Sequence, residues 1–96
     1  MKVRQPAVAG QFYDADAAQL EANILALLED NRKPAAEAPK VLISPHAGYM
    51  YSGAVAARAW GQLLDQPATP SRVVLFGPAH RVALEGMALP AAETFR

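Results

Sequence analysis

The pattern of apolar and polar positions divides the chain into a short series of elements. Asp16 has the character of a helix N-cap, and Gln19, three residues on, completes a capping box. Leu20, Ile24, Leu27 and Leu28 then recur at i, i+4, i+7 and i+8, the stripe of an amphipathic helix. Glu21, Asn23, Glu29 and Asp30 fall mostly off that stripe, so the pattern predicts a helix from Ala17 to Asn31. Val41-Leu42-Ile43 is a short unbroken apolar run, and a strand is expected over 41–45. Continuous rather than alternating hydrophobicity is the mark of a strand covered on both faces, as in a parallel sheet. Val55, Ala56, Ala59, Trp60, Leu63 and Leu64 form a second helical stripe, predicting a helix over 53–66 with Ser52 as its cap and Trp60 in the core. A second buried strand is expected over 72–76, ended by Gly77-Pro78. A third would start at Met87-Ala88-Leu89, before Pro90.

The segments between are punctuated by Pro and Gly. Residues 1–13 carry Pro6 and Gly10 and read as an irregular or extended arm, and Lys33 to Pro39 is a linker bracketed by Pro34 and Pro39. Strand 41–45, helix 53–66 and strand 72–76 make one βαβ unit, which should be parallel and right-handed. The fold class expected is α/β, a three-layer sandwich with a mainly parallel sheet. A few strands and two helices cannot cover both faces of such a sheet, so residues 1–96 are read as the front part of a larger single α/β domain, with self-association expected at an open sheet edge.

Composition narrows the possible partners. Of the 96 residues, 52% are apolar, enough for a packed core, and nine basic residues balance nine acidic ones. Net charge of zero gives no electrostatic reason to expect a nucleic acid or an anionic membrane. There is no cysteine, which excludes disulfides and thiolate ligands within the chain. No apolar window has signal-peptide or membrane-span length, so a soluble, cytoplasmic protein is the default expectation.

The candidate chemistry lies at the strand ends. His46 and His80 are the two histidines of the chain, and each follows an apolar run and a proline. Open α/β sheets build ligand sites outside the carboxyl ends of their strands. Two imidazoles at one edge would therefore supply two corners of a metal site. Catalytic zinc takes three protein ligands, and non-heme iron takes two His and a carboxylate. Asp14 and Asp16 are better explained as helix-start residues, and no spacing argument supports Glu85 or Glu93. The third ligand is thus not identifiable within this sequence.

Tyr49 and Tyr51 follow His46 between Gly48 and Gly53, where backbone can approach a ligand closely. Tyr49 is the candidate to donate a hydrogen bond or act as a general acid at the site. Phe12 and Tyr13 have two readings, a staple of the arm onto the body of the fold and an aromatic wall for the crevice. Ser52 has no Asp-His relay behind it, and no glycine-rich phosphate loop is present.

Three blocks in order, Ala9-Gly10-Gln11-Phe12-Tyr13, Ser44-Pro45-His46-Ala47-Gly48-Tyr49-Met50-Tyr51-Ser52-Gly53 and Phe76-Gly77-Pro78-Ala79-His80, resemble the Memo family, whose prokaryotic members are often labelled AmmeMemoRadiSam system protein B. The Pro-His-Ala-Gly-Tyr-x-Tyr-x-Gly block is the specific part. The resemblance makes this chain the N-terminal portion of a longer Memo-like domain. It implies a fold similar to class III extradiol dioxygenases, with a divalent metal at the strand ends: iron first, zinc or copper as other candidates. Two of the family's histidines match His46 and His80, and the remaining ligands belong to its C-terminal region. The resemblance also implies a role in binding phosphotyrosine peptides, with Phe12 near the pocket, and an association with a radical-SAM partner. The chain departs from the family pattern at Ala79, often Ser, and at Arg81, sometimes His; that arginine would hold an anionic group at the rim. Two functions are therefore expected: a dioxygenase-like metalloprotein using His46, His80 and Tyr49, with Phe12, Tyr13, Tyr51 and Arg81 around a small-molecule or peptide ligand, or a non-catalytic binding module of the same fold.

Overall fold

The computed structural model describes residues 1–33 and 35–96 and falls into two compact units: Val8–Thr69, and Met1–Ala7 together with Pro70–Arg96. Pro34, the first bracket of the expected linker, lies outside the described residues. The α/β class holds, with two helices in the first unit and a short parallel two-stranded sheet in the second.

Helix α1 spans Ala17–Asp30. Its Asp16 cap is in place, the carboxylate accepting the Gln19 backbone N–H at 2.9 Å and satisfying one of the four donors that a helix start leaves open. At the other end the Asn31 amide donates back to the Leu27 carbonyl at 2.9 Å. Helix α2 spans Tyr49–Trp60 and tightens into a 3₁₀ turn over Gly61–Leu63. It begins four residues before the expected Gly53, with Gly48 rather than Ser52 at its cap. The cause is tertiary: the Tyr49 N–H donates to the Phe12 carbonyl at 2.8 Å, so a distant segment satisfies a helix-start donor that no side chain caps. Ser52 sits inside the first turn, its hydroxyl donating to the Ala47 carbonyl at 3.0 Å.

The two helices meet at Gly53, which is buried; a Cβ there would stand 3.1 Å from Leu27 Cδ1, so the close approach requires the missing side chain. Beyond the 3₁₀ turn the chain reverses at Asp65, whose φ of 63° is one that Asp tolerates better than most residues. The Asp65 carboxylate pairs there with Arg32 from the end of α1. Trp60, expected in the core, is 42% exposed; Ala57 is the buried apolar side chain of this face.

In the second unit, β1 (Val3–Arg4) pairs in parallel with β2 (Thr94–Phe95), Val3 opposite Thr94 and Arg4 opposite Phe95. The Arg4 guanidinium lies 5.7 Å from the centroid of the Phe95 ring, a cation–π contact. Apart from an isolated bridge between Ala9 and Tyr13, sheet pairing among the described residues is confined to these strands, so the strands expected at 41–45, 72–76 and Met87–Leu89 are not formed. Burial along 41–45 does alternate, Leu42 and Ser44 half-buried between exposed neighbours, as in an extended segment with one covered face. Ile43 is nevertheless 92% exposed and Leu75 82%. An unbroken apolar run states a demand for cover on both faces, but a strand exists only where a neighbour accepts its backbone hydrogen bonds. No described segment does so here.

Candidate ligand groove

An open concave feature lies wholly within the Val8–Thr69 unit and starts from a tight turn in the arm. Gly10 has φ +81°, a conformation that a side chain would strain. That turn lets the Val8 carbonyl accept from Gln11 and Phe12 N–H at 3.1 and 3.0 Å, while the Gly10 N–H donates to the Tyr13 carbonyl at 2.7 Å. Phe12 and Tyr13 are thereby held at the end of the turn. The Phe12 carbonyl then anchors the start of α2, which brings Tyr49 beside Tyr13 with ring centroids 6.0 Å apart and planes inclined by 42°. A tilted pair at this separation is a favourable aromatic geometry, worth about 0.5–1.5 kcal/mol beyond area burial.

These segments border an open groove of about 480 Å³. Phe12, Tyr13, Tyr49 and Met50 line one part of it, and Leu27 of α1 contributes an aliphatic wall. Asp14 and Asn23 supply polar groups, the Asn23 amide donating to Asp14 Oδ2 at 3.4 Å. The volume falls within the range of small-molecule sites, which pair an apolar lining with a few placed polar groups.

The Phe12 carbonyl ties the arm to the start of α2, and Phe12 and Tyr13 both line the groove. Tyr49, expected in a loop at the histidine site, lies in the first turn of α2 and lines this groove, which neither histidine lines. Tyr51, two residues on, is exposed and does not line it. His46 is exposed and precedes α2 by three residues, outside the groove lining. His80 and Arg81 are exposed residues of the other unit. Among the described residues no group of three or more His, Cys, Asp or Glu is gathered so as to hold a metal ion.

Asp14 and Asn23 were the groove residues that sequence reasoning read as something else. Asp14 passed as a helix-start residue. Asn23 carried a usable signal: it lies three residues after Leu20 and four before Leu27, a polar side chain on the flank of the apolar stripe of α1. It is half-buried there.

The helices and the short parallel sheet define a small α/β chain, and aromatic side chains line its groove. The profile of the Memo-like protein family matches residues 4–96, and the chain belongs to that family. It is 40% identical over 96 residues to Protein MEMO1 of Danio rerio, covering 100% of this chain and 31% of the relative. Its identity to Protein MEMO1 of Homo sapiens is 34%, covering 97% of this chain and 30% of the relative. The Caenorhabditis elegans Protein memo-1 homolog is 38% identical over 93 residues, 26% of its own length. The chain thus spans about 30% of the length of the relatives it matches. No solved structure matches the chain. Among the described residues no helix is long and apolar enough to cross a membrane.

Proposed function

We propose that this chain forms the ligand-binding face of a Memo-like protein, taking a small-molecule or peptide ligand into the groove between the Gly10–Ala15 turn and the start of α2. The carrying observation is the Tyr49 N–H bond to the Phe12 carbonyl, which fixes the Tyr13–Tyr49 pair as one wall of that groove. A site whose walls are set by main-chain bonds is preorganised, and less ordering is needed when a ligand enters.

His46 and His80 are proposed as two ligands of a divalent metal, iron first, in a longer protein that supplies the others. Imidazole suits iron, zinc and copper alike. The described residues offer two imidazoles and no group of three ligands, so a complete centre does not fit them alone, and the oxidoreductase reading needs donors beyond this chain.

A small-fragment library titrated into the isotopically labelled chain tests this reading by amide chemical shifts. Perturbations should cluster at Tyr13, Asp14, Asn23 and Tyr49. Shifts scattered over the surface, or none, would refute it. Metal analysis of the purified chain should find well below one equivalent of iron, zinc or copper. A full equivalent that persists in a His46→Ala, His80→Ala variant would sink the proposed ligand pair.

A further inference from the structure

We infer that the groove recognises a basic peptide, with one lysine or arginine side chain lodged against Asp14 and the rings of Tyr13 and Tyr49. This deepens, and rests on, the ligand-binding reading above. The argument is one of charge and surface. None of the residues lining the groove is Lys, Arg or His, while Asp14 contributes a carboxylate. An anionic group such as a phosphate would enter next to that carboxylate with no cation among the lining residues to offset it, and like-charge contact is unfavourable.

A cation meets the opposite situation. Its charge pairs with Asp14, and three aromatic rings, Phe12, Tyr13 and Tyr49, stand on the same groove. Aromatic faces attract an ammonium or guanidinium within about 6 Å of the ring centroid. The chain already makes such a contact at 5.7 Å between Arg4 and Phe95.

The rim argues for a peptide over a free amine. Phe12 is 47% exposed and Met50 81% exposed, and both line the groove. A small amine would leave that apolar rim wet, whereas residues flanking a lysine in a peptide would cover it. Gln11 and Asn23 line the same groove with amides able to donate to and accept from a peptide main chain.

The test is fluorescence polarisation of labelled, otherwise neutral heptapeptides against the 96-residue chain. The central residue is lysine, acetyl-lysine or phosphotyrosine, and n-butylamine serves as an unlabelled competitor. The lysine peptide should bind about tenfold more tightly than the acetyl-lysine and phosphotyrosine peptides, with affinity falling as salt rises. Asp14→Asn, which keeps the shape of the side chain, should remove most of that preference while leaving the circular dichroism spectrum unchanged. Tyr13→Leu should weaken the lysine peptide specifically. Preferential binding of the phosphotyrosine peptide, or an indifferent Asp14→Asn, would overturn the inference and leave a ligand groove of another kind. Displacement by n-butylamine at the peptide's own affinity would overturn the peptide assignment. Failure of every probe to bind would overturn the inference, and together with scattered or absent fragment shifts it would bring down the groove reading as well.

Discussion

Gly53 is the point at which packing and the groove depend on one another, and its replacement by leucine is the sharpest test of the structure. A Cβ at this position would stand 3.1 Å from Leu27 Cδ1, 3.6 Å from Leu27 Cδ2 and 3.5 Å from Tyr49 Cβ. Leu27 and Tyr49 both line the groove, so the contact that joins the helices also sets the groove's shape. Alanine is nearly neutral on this account. It gains about 0.5–1 kcal/mol of helix preference over glycine, and displacing the Leu27 terminal methyl by a few tenths of an ångström offsets a similar amount. Leucine carries further atoms beyond a Cβ that already stands 3.1 Å from the Leu27 methyl. Overpacking of this kind costs roughly 1–3 kcal/mol, partly offset by helix preference, leaving a net loss of about 1–2 kcal/mol. For a chain of this size that corresponds to a fall of about 4–16 °C in the thermal midpoint, read by far-ultraviolet circular dichroism. Combining Gly53→Leu with Leu27→Ala should recover part of the loss, with a coupling of at least about 0.5 kcal/mol. A Gly53→Leu chain that melts at or above the parent, or a double variant that is strictly additive, would refute the packing of α1 against α2.

Two further substitutions probe the local devices. Asp16→Ala removes the carboxylate that accepts the Gln19 N–H, and urea unfolding should show a loss of about 0.5–2 kcal/mol, with Asp16→Asn losing less. Gly10→Ala forces a side chain into φ +81° and should cost about 1–2 kcal/mol, and because this turn sets Phe12 and Tyr13, fragment shifts at the groove should weaken together with stability.

Membership of the Memo-like family bears on how the exposed apolar runs are understood. The chain covers about 30% of its relatives' length, and the runs at 41–43 and 73–76 are written as strands while remaining unpaired among the described residues. Along 41–45 Leu42 and Ser44 are half-buried between exposed neighbours.

What was legible in the sequence is what depends on neighbours a few residues away. Helix α1 was, because its stripe repeats over two turns and Asp16 caps it through a bond spanning three residues. Membership of the Memo-like family was also legible, from blocks of residue types in order. The start of α2 was not, because its first donor is satisfied by the Phe12 carbonyl, a partner thirty-seven residues earlier in the chain. Nor was the strand pairing, because Val3 and Thr94 find each other through space and neither run advertises it by length or periodicity. The groove belongs to the same class. Asp14 and Asn23 became a polar corner only once the turn at Gly10 and the close approach at Gly53 set the arm and α1 beside Tyr49. Local hydrogen bonding and periodicity determined α1 and its cap, while the groove's shape and charge came from contacts between segments apart in the sequence.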